Sequence, residues 1–352
     1  MKISSDAPVI DTALLAGFRY ACRPDCGLCC FAEPHLESSE KPALLQLRLQ
    51  PDFVHRGREE YLASRPEGGA CTLLQGSRCR GHAARPSVCR EFPLTAHAGL
   101  RVQVTAVLTC PGVELTSLEG FPGTRGLSID PGFADEIEAV RARAEAHARP
   151  LLAAGERRRR RIVRALEAEG RWIEEEEVRE HLRSRIPVPT TADFPSEDPP
   201  SADEGVELLP LVWAGHPGPL AFASALGGWE LMELREAGGS GRSLGVFPAP
   251  SRPPACSEAA DRMLRGYLRY WLERDALFGS IHLLMLERPD GDVEEWIAAE
   301  LRRIGALATS RAQVLAVARR GPVDRLAAAD LEEGIRATDQ DLLDRTTWGS
   351  RL

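Results

Sequence analysis

The spacing of apolar residues divides this chain into segments of different periodicity, and the clearest lies in its last third. Between Ser257 and Glu287, Met263, Tyr267, Leu268, Tyr270, Trp271 and Leu272 recur at three- and four-residue intervals, the period of a helix with one buried face. A second helical block runs from Asp292 to Arg320 through Trp296, Ile297, Leu301, Ile304, Leu307, Val314, Leu315 and Val317, and a third from Val323 to Arg345. Pro289-Asp290-Gly291 and Gly321-Pro322 punctuate the blocks. Links this short predict antiparallel packing of neighbouring helices.

Earlier segments are less regular. Ser38 to Ala63 carries helical spacing through Leu44, Leu45, Leu47, Leu49, Phe53, Val54, Tyr61 and Leu62, with Ser38-Ser39-Glu40 as its cap and Gly68-Gly69 as its break. Ala70–Leu74 and Arg101–Leu108 are strand candidates. In the second, Val102, Val104, Ala106 and Leu108 alternate with the period of a half-buried strand. Pro131 to Arg185 is helical and highly charged, with Pro150 as a kink or stop. The run Arg157–Arg161 stands among Glu156, Glu167, Glu169 and Glu174–Glu177, a pattern of solvated helix faces with i,i+4 pairing rather than of a phosphate-binding face. Ile186 to Gly205 is rich in Pro, Ser, Thr and acid and reads as a linker. Beyond it, Pro219–Leu226 and Trp229–Glu236 are two strands, or a helix and a strand, around Gly227-Gly228, and Ala237–Gly245 is a turn or loop.

These patterns predict a mainly α protein of α+β type: an irregular cysteine-rich metal-binding N-terminal domain followed by a helical C-terminal domain. The expected divisions are a cysteine-cluster domain over 1–125, a charged helical segment over 126–186, a Pro-rich linker over 187–205 and a mostly helical domain over 206–352. The 352-residue length suits about two domains, and 43% hydrophobic with 27% charged residues is ordinary for a globular protein. A net charge of −8 argues against a nucleic-acid binder, which carries a basic surplus. Lysine occurs only at Lys2 and Lys41, as in the product of a GC-rich genome. No apolar run approaches the ~18 residues of a membrane span, and the N-terminal stretch lacks the apolar core of a signal peptide. The expectation is a cytoplasmic protein without a membrane partner.

The candidate chemistry lies between Cys22 and Cys110. Eight of the nine cysteines fall there: Cys22, Cys26, Cys29, Cys30, Cys71, Cys79, Cys89 and Cys110. Such a collection is a disulfide framework or a metal site, and in the cytoplasm the second is favoured. Thiolates are soft ligands suited to zinc and to iron–sulfur clusters. The adjacent pair Cys29-Cys30 suits a polynuclear cluster, or two neighbouring sites, better than one tetrahedral ion, because neighbouring side chains diverge. A zinc ribbon uses two C-x2-C pairs, and only Cys26–Cys29 has that spacing here.

The opening Cys22-Arg23-Pro24-Asp25-Cys26-Gly27-Leu28-Cys29-Cys30 and the closing Cys79-Arg80-Gly81-His82-Ala83-Ala84-Arg85-Pro86-Ser87-Val88-Cys89-Arg90-Glu91-Phe92-Pro93 resemble the zinc- or iron-chelating cysteine-cluster family of YkgJ type, CxxCxxCC. Cys71 and Cys110 match its further cysteines. Gly81-His82 departs from the aliphatic–aromatic pair of that family and makes His82 a candidate ligand or proton donor. The resemblance covers the first third of the chain and implies chelation of metal. A similar cysteine arrangement in flagellin lysine N-methylases, together with the long extension after residue 130, implies a [4Fe–4S] cluster, S-adenosylmethionine as co-substrate and methyl transfer onto a protein substrate. The alternative is a non-enzymatic zinc- or iron-binding module for structure, metal handling or partner binding. Arg85 and Arg90 flank Cys89 and would balance the negative charge of a thiolate-bound cluster. Arg23, Arg78 and Arg80 adjoin Cys22 and Cys79.

Other candidates are weaker. Cys22, Cys26 and Cys29 share the C-x3-C-x2-C spacing of radical enzymes, but no alternating βα pattern follows them. Ala237–Gly241 lacks the strand–GxGxxG–helix context of a nucleotide loop. His35 and His97 lie near the cysteines in sequence, while His55, His216 and His282 are scattered. Cys256 reads as a packed or cap-adjacent thiol.

Overall fold

The structure, a computed structural model, describes residues 10–11, 13–15, 18–21, 23, 26–31, 34–47, 51–57, 59–65, 70–76, 78–98, 102–120, 164–170, 186–194, 209–212, 219–225, 228–233, 242–248, 254–274, 276–277 and 293–346. Outside them lie Cys22, the Arg157–Arg161 run, most of the charged stretch 126–186, residues 195–205 of the Pro-rich stretch, Ala237–Gly241, His216 and His282. The architecture is α+β, with short elements before residue 120 and a sheet with long helices after residue 208. Among the described residues no helix is long and apolar enough to cross a membrane.

The chain opens with β1 (Ile10–Asp11) and reaches a small cysteine-bearing layer through β2 (His35–Leu36) and α1 (Glu40–Gln46). The helical spacing over Ser38–Ala63 is realised only in α1. Further along, the described residues form a hairpin of β3 (Phe53–Arg56) and β4 (Glu59–Leu62), with Phe53 opposite Leu62 and Val54 opposite Tyr61. Gly57, at φ 67°, supplies the left-handed backbone this turn needs. The apolar residues that mimic a helix therefore meet across strands. Ser39 stands at the N-cap of α1 without a side-chain cap bond. The Glu40 carboxylate instead accepts N–H groups outside α1: Oε2 that of Glu37 at 2.9 Å, and Oε1 that of Ser87 at 2.6 Å. That second bond ties α1 to the start of α2 (Ser87–Glu91). Between them, β5 (Leu74–Gln75) and β6 (Arg78–Cys79) form a hairpin, so the predicted strand over Ala70–Leu74 shrinks to its last residue and a bridge between Cys71 and Ser64. Leu36, Leu44, Leu62, Leu73 and Leu74 fill a small core with Cys30 and Cys71.

The larger core begins with β7 (Leu94–Ala98) and β8 (Val102–Ala106), the latter inside the segment predicted as a strand. β8 pairs antiparallel with β7 and parallel with β1. After residue 208, β9 (Leu209–Val212), β10 (Pro219–Ala225), β11 (Gly228–Glu233) and β12 (Arg242–Pro248) form an antiparallel sheet in the order β12-β11-β10-β9. The two segments around Gly227-Gly228 are thus both strands, and β12 takes up the end of the expected Ala237–Gly245 loop.

The three long helices carry the packing. β13 (Ala255–Cys256) leads into α3 (Glu258–Glu273), whose N-cap Ser257 accepts the Ala260 N–H at 3.2 Å. The block expected over Ser257–Glu287 yields α3 and breaks at Arg274; residues 278–287 are outside those described. α4 (Val293–Arg320) and α5 (Ala328–Thr346) match the second and third blocks, joined by Gly321 at φ 84° and by β14 (Arg325–Leu326). They run antiparallel: Arg320 grips Asp330 near the link, and further along Arg311 Nη1 donates to the Ala337 carbonyl at 2.6 Å. Gly266 lets α3 lie against Leu118, whose carbonyl oxygen would be 1.8 Å from any Cβ at that position. Phe18, Leu94, Val104, Ala106, Leu108 and Val113 share one apolar core with Leu264, Tyr267, Tyr270, Trp271, Leu301, Leu315 and Ile335. That core draws on residues from both sides of the Pro-rich stretch.

Buried charges hold the junction. After β8 the chain makes an irregular turn over 107–113, whose polar backbone groups need partners once they leave water. The helices supply them. Arg274 Nη2 donates to the Ala106 carbonyl at 2.8 Å, and Nη1 donates to Asp339 Oδ1 at 2.6 Å. Asp339 Oδ2 accepts the Leu108 N–H at 2.8 Å. Arg336 donates Nη1 to the carbonyls of Leu108, at 3.0 Å, and Cys110, and Nη2 to that of Val113, at 2.7 Å. Thr109 Oγ1 donates to the Arg336 carbonyl at 2.8 Å. The Arg274 and Asp339 side chains are 1% and 0% exposed, so neither charge has water to fall back on. Removing one partner of such a pair costs about 3–5 kcal/mol. Asp339→Asn should lower the unfolding free energy by about that amount in urea titrations, and a loss below about 1 kcal/mol would contradict this account of the junction.

Candidate metal centre

The cysteines are presented by three local structures. In the first, the Cys26 N–H donates to the Arg23 carbonyl at 3.3 Å. Gly27 then turns the chain at φ 59°, a conformation that other residues seldom adopt, into a 3-10 helix over Leu28–Phe31 that carries Cys29 and Cys30. In the second, the Cys71 N–H donates to the Cys30 carbonyl at 2.6 Å, which brings the two cysteine segments together. The β5–β6 hairpin then returns Cys79 opposite Leu74, with Gly76 at φ 61° in its turn. In the third, Pro86 stands at the N-cap of α2 and accepts the Cys89 N–H at 3.0 Å. The Glu40 carboxylate fixes the start of that helix from outside.

These segments enclose a cavity of about 360 Å³. Cys26, Cys29, Cys30, Cys71, Cys79 and Cys89 all line it, as do Arg23, Arg78, His82 and Arg85, with Pro34, Leu62, Leu73 and Pro86 as apolar wall. All six thiols are free rather than paired in disulfides. Six of the eight expected ligands are therefore brought together. Cys22 lies outside the described residues. Cys110 is buried in the large core and does not line the cavity. Of the flanking arginines, Arg85 lines the cavity. Arg90 points outward, its side chain 56% exposed, and Nη1 closes the turn by donating to the Arg85 carbonyl at 2.7 Å. Arg80 is exposed. His82 is exposed at the cavity edge. His35 packs edge-on against Tyr61, and His55 faces Glu60 at 3.4 Å. The side chain of His97 is outside those described. Cys256 is half-buried in β13, next to the α3 cap.

The thiols interact with one another. Cys30 S–H donates to the sulfurs of Cys29 and Cys79, and these bonds raise the pKa of Cys30 and lower those of its two acceptors. Cys29 falls to about 7, chiefly through the Cys30 bond and against the opposing effect of burial, with help from the Arg85 charge. Cys79 falls to about 6, again through Cys30 first, then helped by a backbone bond at Gly81 and by Arg85. Burial pushes Cys71 and Cys89 up, and each is pushed further by the neighbouring thiols. Cys110 is pushed up to about 12 by burial and by Cys26. The thiols of Cys29 and Cys79 are thus the more acidic, and that of Cys30 the less acidic.

Among the described residues, no group of three or more His, Cys, Asp or Glu is already set to hold a metal ion. The thiols stand in a hydrogen-bonded arrangement rather than a coordinating one. The donor set nevertheless fits a soft metal centre, since thiolates are its natural ligands. Arg85 supports the same conclusion: its Nε is buried without a hydrogen-bond partner, and its charge acts on Cys29, Cys79 and Cys89. A buried unpaired donor of this kind is costly unless an acceptor occupies the space beside it. The sequence marks Glu40 only as part of a helix cap and does not mark Arg65, which donates Nη2 to the Leu74 carbonyl at 2.5 Å. Their roles arise from contacts distant in sequence, and no local motif marks them.

Comparison with known proteins agrees with this geometry. Residues 21–111 match the model of the CxxCxxCC family, described as a "putative zinc- or iron-chelating domain". The match takes in the cavity and the first part of the turn after β8, and supports reading this segment as a cysteine-cluster metal-binding domain. No curated protein and no solved structure matches the chain.

The thiolate is the nucleophilic form of cysteine. In metal-free protein at pH 7, iodoacetamide should therefore alkylate Cys29 and Cys79 well before Cys110 and Cys256, which stand at about 12 and about 11. Peptide mass spectrometry over a time course reads the order directly, and labelling of Cys110 first would refute it.

Proposed function

We propose that the cavity holds an iron–sulfur cluster of [4Fe–4S] type and that the protein uses it to modify a protein substrate. The observation that carries the first part is the convergence of six thiols and a half-buried arginine, with its Nε buried, on one cavity. Four cysteines are enough for one cubane, and a single tetrahedral zinc needs no more. Two thiols are surplus in either case, but the contiguous Cys29-Cys30 pair facing one cavity favours a polynuclear centre over one ion. Cys29 and Cys79 are the sulfurs best prepared to bind as thiolates. Cys71 and Cys89 lie in the same electrostatic neighbourhood. Arg85 would neutralise part of the thiolate charge and donate to sulfur, which tunes the potential of such a centre. When bound, a cluster of this kind supplies one-electron chemistry or an iron that acts as a Lewis acid. The chain's own residues hold it, limit water and set its charge.

Anaerobically purified protein should be coloured and contain iron and acid-labile sulfide in equal amounts. Cys79→Ser and Cys89→Ser should each lose most of that iron, whereas Cys256→Ser should keep it. Colourless protein with tightly held zinc would overturn the cluster and leave the non-enzymatic zinc module as the reading.

The reaction rests on the resemblance to lysine N-methylases, which implies methyl transfer onto a protein side chain with S-adenosylmethionine. Binding of that molecule to cluster-loaded protein should raise its melting temperature, because a ligand that binds only the native state stabilises it by mass action. An unchanged melting temperature at millimolar ligand would remove methyl transfer from consideration.

A further inference from the structure

The basic residues around the cavity divide into two groups. Arg85 acts on the thiols themselves. Arg23, Arg78 and His82 line the same space but are exposed, so they stand where it opens to solvent. They come from separate segments. Arg23 lies in the first cysteine loop, Arg78 in β6 and His82 in the short 3-10 helix that follows it. Among the described residues, none that lines the cavity is acidic. The net charge of the chain is −8, so an opening whose described lining holds two arginines and a histidine is contrary to its overall composition.

We propose that Arg23, Arg78 and His82 form an oxyanion-binding subsite at the mouth of the thiol cavity, which holds the carboxylate or phosphate group of a small ligand against the metal centre. This rests on the reading of the thiol floor as a metal site, but not on which metal it holds. The guanidinium is a planar fork that matches both carboxylate and phosphate, and two of them lining one cavity favour such a group. A cleft lined with one sign of charge also concentrates ions of the opposite sign. The volume, about 360 Å³, sits at the lower end of the roughly 300–1,000 Å³ of small-molecule pockets. The ligand is therefore small, with room for a short apolar body against Pro34, Leu62, Leu73 and Pro86. Compensation of the thiolates does not require these outer cations. Arg85 already lies among the sulfurs, whereas charges exposed to water act weakly at a distance.

The test uses the full-length protein with the metal it holds on purification. Sodium acetate and inorganic phosphate are titrated separately at constant ionic strength set with chloride, with melting temperature and the spectrum of the metal centre as readouts. Saturable binding of at least one oxyanion is expected, and the stronger of the two identifies the ligand's anionic group. Arg78→Gln and Arg23→Gln should each weaken that binding by about tenfold, since a hydrogen bond to a charged group is worth about that much. Metal content should stay at the wild-type level, and Arg78→Lys should restore only part of the affinity because it keeps the charge but loses the fork. Absence of saturable binding by both anions overturns the proposal. So does loss of metal in the Gln variants, which would place these arginines in the metal's own environment. A zinc-loaded protein that binds the oxyanion would sink the cluster but not the subsite.

Discussion

The ion pair between Arg274 and Asp339 is the constraint on which the arrangement of this protein depends. It lies wholly out of water, where an unpaired charge is intolerable, and each partner also bonds the backbone around residues 106–108. Arg336 does the same one turn earlier on α5. The helices therefore grip an irregular stretch of chain by its polar groups, where apolar packing alone would leave carbonyls unsatisfied. From that stretch the order passes onward. The Gly112 carbonyl accepts the Ala21 N–H at 2.9 Å, and Tyr20 bridges to Val113. Five residues later the first cysteine loop enters the cavity at Cys26. The position of the thiols is thus set at both ends, by the small leucine core beneath them and by buried charge behind them.

Within the cavity the governing fact is crowding of like groups. Several sulfurs in a poorly hydrated space cannot all ionise without a counter-charge. The structure meets this in part with hydrogen bonds from Cys30 to Cys29 and Cys79 and with the Arg85 charge, which acts on the two most acidic thiols. A metal centre would relieve the same repulsion more completely, since its positive charge replaces the thiol protons. The two arrangements compete for the same sulfurs. The hydrogen-bonded thiols and the absence of a ready coordination shell among the described residues are therefore compatible with a site that forms as metal enters.

Different parts of this structure were legible in the sequence to different degrees, for physical reasons. α4 and α5 were readable because their apolar period is sustained over many turns. The stretch from Phe53 to Leu62 was not, because its apolar residues are too few to separate a helix from a hairpin, and Gly57 was the turn signal. The cysteine motifs foretold that Cys26, Cys29, Cys30, Cys71, Cys79 and Cys89 would meet. They could not separate Arg85 from Arg90, since both flank Cys89; the difference arises because Arg85 precedes α2 and Arg90 lies on its outer face. Nor could they show that Cys110 belongs to another core. Arg274, Arg336 and Asp339 read as ordinary surface charges of amphipathic helices, and only the tertiary fold reveals that they are interior.

The junction also bears on where one unit ends and another begins. The family match stops at residue 111, inside the turn whose carbonyls at Cys110 and Val113 are satisfied by Arg336. Leu94, Val104, Ala106 and Leu108, which lie within the matched segment, are covered by helices from the other end of the chain. The module defined by sequence similarity is therefore smaller than the module defined by burial. A protein that carries the same cysteine motif must cover that sheet face with something, and the cover need not resemble α3 and α5. Evolution is then free to exchange the bulk of the molecule around a fixed thiol site, provided that each new partner brings an apolar face and donors for the turn.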